Sequence, residues 1–360
     1  MQMQLRIPGP TPLPPDILQA MTKQMVNHRG KEFAGIIGQT TSRLKEFFQT
    51  QSDVLILTCS GTGGLEAAVV NTLSPGDRVL AVSAGVFGDR FSEIAGLYGA
   101  QVTRLDFPWE RGPDPDGVKR ALQKDPGIKA VLLTHNETST GVTSDLEALT
   151  AVVREFDKLI LVDAISSLGC IDLPTDAWGC DVVVTGSQKG WMAPPGLAMV
   201  SVNARAWVAN AMAGIPRYYL DFSLAKKFLE KGQTPWTPAV TAFYALAASL
   251  EVMAQEGLPA IVARHGRVGK AAREGAKSLG LSLFADEARA SNTVTAINVP
   301  EGVESAKLLP YLRDELGIVL SGGQGPLDGK IFRIGHLGWV SEEDIGAIIQ
   351  GLKKGLAGGG

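Results

Sequence analysis

The chain has 360 residues, of which 45% are hydrophobic and 20% are charged, a balance typical of folded globular proteins rather than disordered or fibrous ones. Its 34 basic and 37 acidic side chains leave a net charge of −3, with no long run of one sign, so neither nucleic acid nor a membrane surface is an expected partner. The length suits one large domain with a smaller one.

The first fifteen residues carry five prolines, and they are predicted to run extended over the surface rather than form an element. From about residue 54, short aliphatic runs alternate with stretches of helical spacing. Most runs are apolar on both faces, which indicates an α/β fold with a mostly parallel seven-stranded sheet and helices on both faces. The last two runs are joined by too short a connection for a helical crossover, so one of them is expected to be antiparallel. The predicted strands are 54–58, 79–83, 102–105, 130–134, 159–163, 182–185 and 197–202.

The character of the sequence changes after about residue 203, which predicts a smaller α+β domain. We expect a large domain over residues 16–240 and a small domain built from residues 1–15 and 241–360, with an extended N-terminal segment and a linking helix. The predicted elements of this second part are helices 241–257 and 261–280, strand 293–299, helix 304–316, strands 318–321 and 330–335, and helix 341–356.

The three cysteines are odd in number and far apart in sequence, which argues against a disulfide framework and favours a reducing compartment. The N-terminus lacks the pattern of a signal peptide, and no apolar run is long enough to cross a bilayer. A cytoplasmic protein is therefore expected.

The strand at 54–58 runs into CSGTGGLEAAVV, where small residues precede a helix. Backbone N–H groups at such a helix start, together with Thr62, can hold an anion such as a phosphate. Turns of this kind also serve as tight connections only, and this one matches neither the Walker A nor the GxGxxG pattern.

Asp163 and Lys189 follow neighbouring predicted strands, at the sheet edge where open α/β folds bind ligands. Asp163 closes the apolar run LILVD, where a buried acid needs a cationic or donor partner unless it only caps a turn. Lys189 follows the next run, in DVVVTGSQKGW. A lysine with little solvent around it loses its proton more readily and can form a Schiff base, whereas most lysines in loops are simply exposed.

Arg333 has apolar neighbours in KIFRIGHLGW on a predicted strand of the small domain. Its guanidinium could clamp a carboxylate through two parallel hydrogen bonds, and the alternative is an arginine that reaches the surface or forms a structural ion pair. The four histidines show no metal-ligand spacing, so no metal site is predicted.

An anion cradle, a buried acid and a nucleophilic lysine together are the set needed to hold a phosphorylated aldehyde that bears a basic ring nitrogen. Pyridoxal 5'-phosphate fits this description. The small residues around Lys189 would make room for the ring of such a cofactor.

Motifs spread nearly end to end resemble the class V aminotransferases of the pyridoxal-phosphate fold type I superfamily, and most closely the alanine:glyoxylate and serine:pyruvate aminotransferase group. The motifs are IPGPTPLPP, SGTGGLEAA, GVFGDR (85–90), HNETSTGV (135–142), VDAISSLG (162–169), TGSQKG (185–190), TPWTPAV (234–240), SGGQG (321–325) and FRIGHLG (332–338).

The resemblance implies a role for each matching residue. Lys189 would form the Schiff base with the cofactor, and Asp163 would pair with the ring nitrogen and keep it protonated. Phe87 would stack on the ring, where relatives commonly have tryptophan, and Thr138 would hydrogen-bond near the 3-hydroxyl. The implied phosphate contacts are Gly61, Thr62, Gly63 and Gln188, joined by Thr234 and Thr237, which would reach the phosphate of the neighbouring subunit in a homodimer with shared active sites.

The resemblance also implies a ping-pong transamination. Arg333 would hold the α-carboxylate of a small amino acid, alanine or serine, while Lys189 moves the α-proton. A 2-oxo acid, glyoxylate or pyruvate, would then take up the amino group. The segment around Gly9 resembles the strip that narrows the substrate pocket of relatives, which would favour small side chains.

Three alternatives stay open from the sequence. A transaminase for an aminophosphonate such as 2-aminoethylphosphonate would need no α-carboxylate clamp. A cysteine desulfurase or related lyase needs a cysteine late in the sequence, and none follows Cys180. A protein that kept the fold only as a binding module would have no reason to keep Lys189, Asp163 and Arg333 together.

Overall fold

A computed structural model describes residues 3–358, and its elements are numbered in chain order. The strands are β1 (Gln4–Leu5), β2 (Asp53–Leu57), β3 (Arg78–Ser83), β4 (Gln101–Asp106), β5 (Ile128–Thr134), β6 (Asn136–Glu137), β7 (Val142–Thr143), β8 (Leu159–Asp163), β9 (Val182–Gly186), β10 (Ala198–Val202), β11 (Val294–Asn298), β12 (Ile318–Val319), β13 (Ser321–Gly322) and β14 (Ile331–Gly335). The helices are α1 (Pro15–Ala20), α2 (Lys31–Phe48), α3 (Gly61–Thr72), α4 (Val86–Leu97), α5 (Pro115–Lys124), α6 (Leu146–Glu155), α7 (Ala204–Met212), α8 (Phe222–Leu229), α9 (Val240–Glu256), α10 (Leu258–Ser278), α11 (Ser305–Leu316) and α12 (Glu342–Gly358).

Seven strands form the central sheet, in the order β2-β10-β9-β8-β5-β3-β4. β10 is antiparallel to both of its neighbours, and the other neighbouring pairs are parallel. β10 runs backwards because the short connection through Pro194 and Pro195 leaves no room for a crossover helix. The predicted α/β fold with a mostly parallel seven-stranded sheet is confirmed.

Helices cover both faces of this sheet, and each face has its own apolar core. Phe33 of α2 and Phe243 of α9 belong to the core on one face. Leu65 of α3 and Phe91 of α4 belong to the core on the other face. The strands other than the exposed edge strand β4 are apolar on both sides because both sides are buried.

The elements from α10 onward build a second, smaller unit, whereas α9 packs on the core of the large sheet. Its three-stranded sheet has the order β11-β14-β13 and is antiparallel throughout. A third apolar core joins this sheet to α10, α11 and α12 through residues such as Val268, Phe332 and Ile348. α10 begins at Leu258, three residues before the predicted start, and brings Pro259 into its first turn, where a missing N–H costs nothing.

The N-terminal segment departs from the prediction that it forms no element and lies on the surface. β1 pairs in parallel with β12, and Arg6 is buried. The Arg6 carbonyl accepts a hydrogen bond from the Gly335 N–H at 2.7 Å, and the Arg6 side chain forms an ion pair with Asp344 at 2.9 Å. The prediction was wrong because the prolines begin only at Pro8, so the residues before them keep their N–H groups and can extend a strand edge.

No single helix within residues 3–358 has both the length and the apolar character needed to cross a membrane. α9 and α10 pass this test only when taken together, and they meet at an angle of 87°. Over the same residues, no group of three or more His, Cys, Asp or Glu side chains is arranged to hold a metal ion.

Candidate active site

The carboxyl ends of β2, β8 and β9 lie at one edge of the central sheet. β8 and β9 are parallel neighbours, and β10 is antiparallel to both β9 and β2, so all three strands point the same way. A cavity of about 140 Å³ opens at this edge. Its lining residues are Ser60, Gly61, Thr62, Leu65, Phe87, Arg90, Asn136, Thr138, Asp163, Ile165, Ser166, Gln188 and Lys189.

One end of the cavity is the first turn of α3, which has the features of an anion site. Ser60 is the N-cap residue, and its side chain accepts a hydrogen bond from Gly63 N. A Cβ at Gly61 would lie 2.6 Å from Ile165 Cδ1, so only glycine allows this close approach. The Gln188 side-chain oxygen is buried without a hydrogen-bond partner among the described residues. Free N–H groups and the helix dipole favour a negatively charged ligand here.

Asp163 lies at the end of β8, and its side chain is 3% exposed. In the described part of the chain its carboxylate accepts one hydrogen bond, from Ile165 N at 2.9 Å. Burial and, to a smaller extent, the negative charge of Glu137 raise the pKa of this carboxyl to about 7, against the opposite effects of the Ile165 N–H and Lys189. A protonated ring nitrogen in the cavity would supply the missing donor.

The raised pKa of Asp163 predicts a pH-dependent stability in the cofactor-free protein. Between its ordinary value of 3.8 and about 7, the folded protein keeps a proton that the unfolded chain has released, so the free energy of unfolding falls as pH rises through this window. The Asp163→Asn variant lacks this titration and should gain on the order of a few kcal/mol relative to wild type from pH 4 to pH 7.

Urea unfolding of both cofactor-free proteins at several pH values measures this difference directly. A stability difference that stays constant between pH 4 and pH 7 would contradict the assignment of the raised pKa to Asp163.

Lys189 follows β9 and faces Asp163 across the cavity. Its side chain is half-buried because it borders the cavity, and its Nζ donates a hydrogen bond to the Pro8 carbonyl at 2.5 Å. Burial lowers the pKa of the amine to about 8, while the charge of Asp163 acts in the opposite direction. The lysine thus has a larger neutral, nucleophilic fraction at neutral pH than an exposed lysine.

Gly9 lies directly against Lys189. A Cβ at Gly9 would be 2.7 Å from Lys189 Cδ and 2.8 Å from its Nζ, and the backbone at Gly9 has a φ of +122°. Only glycine therefore combines this conformation with this contact. The N-terminal segment was expected to run over the surface and, around Gly9, to narrow the substrate pocket; it forms one wall of the space around Lys189.

Three polar side chains form a buried network on the third side of the cavity. Ser166 Oγ accepts hydrogen bonds from Thr138 Oγ1 at 2.7 Å and from Asn136 Nδ2 at 2.8 Å. Ser166 in turn donates to the Asn136 carbonyl at 2.9 Å. Asn136 and Ser166 were not among the predicted site residues, although both lie inside motifs that carry the family resemblance.

Arg333 is 4% exposed and lies on β14, between β11 and β13. Its Nε donates to the Gly322 carbonyl at 2.9 Å, and its Nη1 donates to the Thr138 carbonyl at 3.0 Å and to Gln324 Oε1 at 3.2 Å. Burial lowers its pKa to about 10, so it stays protonated at neutral pH. These oxygens fix the guanidinium, while Nη2 makes no hydrogen bond to the described residues and is free for a ligand.

The predicted site residues do not all meet in this cavity. Seven of them line it directly: Gly61, Thr62, Phe87, Thr138, Asp163, Gln188 and Lys189. Gly9 and Arg333 are next to it through Lys189 and Thr138. Gly63 contributes its N–H to the α3 cap. Thr234 and Thr237 lie outside the cavity of their own chain, with Thr237 exposed and Thr234 buried, its hydroxyl bonded to the Trp236 carbonyl.

Comparison with known proteins identifies the family of the chain. A family model for class-V aminotransferases matches residues 5–328. A Synechococcus sp. protein named soluble hydrogenase, small subunit, is 46% identical over 356 residues, which cover 98% of this chain and 92% of that protein. The L-aspartate–glyoxylate aminotransferase of Paracoccus denitrificans is 38% identical over 343 residues, covering 93% and 86%. The solved structure of alanine–glyoxylate aminotransferase from Nostoc sp. superimposes with a TM-score of 0.95 at 32% identity, covering 99% and 96%.

The chain therefore belongs to the class-V aminotransferase family, within the pyridoxal-phosphate-dependent proteins of fold type I. It is an aminotransferase, as the sequence predicted. The family and its solved members imply pyridoxal phosphate as the cofactor.

Proposed function

We propose that this aminotransferase binds pyridoxal 5'-phosphate in the cavity between α3, β8 and β9, and moves the amino group of a small amino acid to glyoxylate or pyruvate in a ping-pong cycle. One observation carries the proposal. The Lys189 amine, the Asp163 carboxylate and the first turn of α3 border the same cavity, and these are the groups that an aldehyde, a ring nitrogen and a phosphate require.

The residues present fit the cofactor. The glycine-lined start of α3 suits a phosphate, and the unpartnered Gln188 oxygen can accept a hydrogen bond from a water that bridges to it. Asp163 accepts one hydrogen bond from the described residues and can accept another from a ring N–H. Thr138 Oγ1, whose own proton goes to Ser166, can accept from a phenolic hydroxyl. When bound, the cofactor supplies an aldehyde that links to amines and a ring that draws electrons from the substrate α-carbon.

The chain itself supplies the binding and proton-transfer groups. Arg333 Nη2 would hold the α-carboxylate of the substrate, because Nη1 and Nε are already fixed by backbone and side-chain oxygens. Lys189 Nζ, with its lowered pKa, can accept the α-proton and return it. Asp163 would hold the proton of the ring nitrogen.

The proposed amino donors are alanine and serine. The Pro8–Gly9 segment lies within 3 Å of the Lys189 side chain, which leaves little room for a large substituent beside the reacting carbon. Relatives that are named for a reaction use glyoxylate as acceptor with serine, aspartate or ureidoglycine as donor.

A half-reaction screen tests this proposal. The visible absorbance of the bound cofactor is followed after addition of alanine, serine, aspartate or 2-aminoethylphosphonate, each without an acceptor. Rapid loss of the absorbance with alanine or serine, and its return with glyoxylate or pyruvate, is the expected result. Exclusive reaction with 2-aminoethylphosphonate would move the protein to the aminophosphonate transaminases, and release of a β-substituent without transamination would make it a lyase.

We further propose a homodimer in which Thr234 and Thr237 of each subunit approach the cofactor phosphate of the other. The exposed Thr237 and its position outside the cavity of its own chain support this. A wider groove of about 710 Å³ between α2 and α9, bordered by the exposed Met25, is available for subunit contact. Light scattering should give twice the chain mass, and a monomer with normal cofactor affinity would contradict the proposal.

The cytoplasm remains the proposed location. All three cysteines are free thiols, two of them buried, which is in keeping with a reducing compartment.

A further inference from the structure

Glu137 is a buried carboxylate next to the cavity that the proposed chemistry does not use. It lies on β6, is 3% exposed, and is held by the short antiparallel pairing of β6 with β7. Carboxylates are rarely buried to this degree unless several donors satisfy them. The contacts of Glu137 therefore indicate what it does.

All hydrogen bonds of the Glu137 carboxylate are donated to it. Oε2 accepts from Phe87 N and Gly88 N, both at 3.1 Å, and Oε1 accepts from Ser139 N at 3.1 Å and Ser139 Oγ at 2.5 Å. Ser139 Oγ also accepts from Val86 N at 3.1 Å, so its own proton is committed to Glu137. Phe87 N, Gly88 N and Ser139 N can only donate, so both carboxylate oxygens act as acceptors. Burial raises the pKa of this carboxyl, and these hydrogen bonds act in the opposite direction.

These contacts replace the N-cap that α4 lacks. The N-cap position of α4 is Gly85, which has no side chain to accept from the first turn. A Cβ at Gly85 would lie 2.5 Å from Glu137 Cδ, so the glycine is what lets the carboxylate approach. Glu137 and Ser139 then satisfy three successive N–H groups from a different part of the chain, and the negative charge suits the positive end of the helix.

We propose that Glu137 is a positioning residue that fixes the first turn of α4, and with it the Phe87 ring, at the wall of the cofactor cavity. Phe87 is the second residue of α4 and lines the cavity. Its backbone N–H is bonded to the carboxylate, so movement of the carboxylate moves the ring. The inference rests on the proposed function only in that the cavity binds pyridoxal phosphate.

The test uses Glu137→Gln, which keeps the length of the side chain and removes its charge. One amide oxygen can still accept, but the amide NH₂ must face either the α4 N–H groups or Ser139, and both offer donors. In the cofactor-free protein, amide hydrogen exchange of a peptide spanning 84–91 should become about tenfold faster or more. A peptide from the far end of α4, spanning 93–99, should be unchanged.

Cofactor affinity provides a second measurement. Titration with pyridoxal phosphate, followed by its visible absorbance, should show a dissociation constant raised roughly 10- to 100-fold in Glu137→Gln. Glu137→Asp keeps the charge but is too short to reach both N–H groups, and should fall between the two proteins. If Glu137→Gln does not fold, Ser139→Ala takes its place. This variant removes one donor to Glu137 and the acceptor of Val86 N, and it should show a smaller effect in the same direction.

Asp181→Asn is the matched control. Asp181 is also a fully buried carboxylate with backbone and side-chain donors, Ile160 N and Asn203 Nδ2, but it lies at the start of β9, at the opposite edge of the sheet. If amide hydrogen exchange in the 84–91 peptide were accelerated equally in Asp181→Asn, the effect would be one of general destabilisation and the proposal would be overturned. Unchanged exchange and affinity in Glu137→Gln would overturn it as well.

The two proposals can fail separately. Wild-type protein that does not bind pyridoxal phosphate refutes the proposed function, while the exchange of the 84–91 peptide still reports whether Glu137 holds α4. Normal binding by wild type and by Glu137→Gln alike refutes only the role of Glu137.

Discussion

Replacement of Lys189 by alanine should reduce transamination by at least about 10⁴-fold, because the variant loses both the amine that links to the cofactor aldehyde and the base that moves the α-proton. The fold should persist. Lys189 makes one side-chain hydrogen bond, to the Pro8 carbonyl, and its removal leaves a small space beside an existing cavity rather than a void in a core.

Steady-state rates with the best donor and acceptor, together with circular dichroism, measure this effect. Lys270→Ala is the matched control, since Lys270 is exposed on α10 and pairs only with Glu274 at 3.6 Å. If Lys189→Ala kept more than a tenth of the wild-type rate, Lys189 would not be a catalytic residue of this reaction.

Replacement of Arg333 by glutamine should raise KM for α-amino acid donors by about 10²- to 10³-fold, because a buried, charge-assisted contact to the substrate carboxylate is lost. The maximal rate should change less, since the guanidinium lies beside the reacting groups and not among them. Because Nε and Nη1 are bonded to protein oxygens, the carboxylate clamp of two parallel hydrogen bonds expected from the sequence reduces to Nη2. Arg333→Lys keeps the charge but not the planar group that these oxygens hold in place, and should recover only part of the affinity.

The donor itself is the sharpest control for Arg333. An aminophosphonate has no α-carboxylate, so any residual reaction with 2-aminoethylphosphonate should be unaffected by Arg333→Gln. Arg267→Gln, at an exposed arginine paired with Glu342, should leave all donors unchanged. Equal losses with both kinds of donor would show that Arg333 supports the fold and not the substrate.

Much of this fold follows from local sequence patterns. The aliphatic runs located all seven strands of the central sheet to within two residues. Six of the strands are buried along nearly their whole length and carry few polar positions, and only the edge strand β4 is largely exposed. The short link through Pro194 and Pro195 identified an antiparallel pair. The sheet order was not accessible in this way, since the position of β10 between β2 and β9 depends on contacts far apart in sequence.

The same distinction between local patterns and contacts far apart in sequence applies to the residues of the site. Asp163 and Lys189 were accessible because each follows a strand, and strand ends meet at one edge. Glu137 was missed, although it lies inside HNETSTGV, because its role depends on where α4 begins relative to β6. Gly9 was placed at the substrate pocket only through the family resemblance, and the contact of the Pro8 carbonyl with Lys189 was missed because proline-rich sequence gives no indication of what its carbonyls bind.

We expect the amine of Lys189 to receive the cofactor in the cavity that it shares with Asp163. Loading the protein with pyridoxal phosphate, reducing it with borohydride and mapping the modified peptide by mass spectrometry tests this most directly. The expected result is one stable adduct per chain, on the peptide that contains Lys189, and none in Lys189→Ala. An adduct spread over surface lysines, or centred on another residue, would contradict the account.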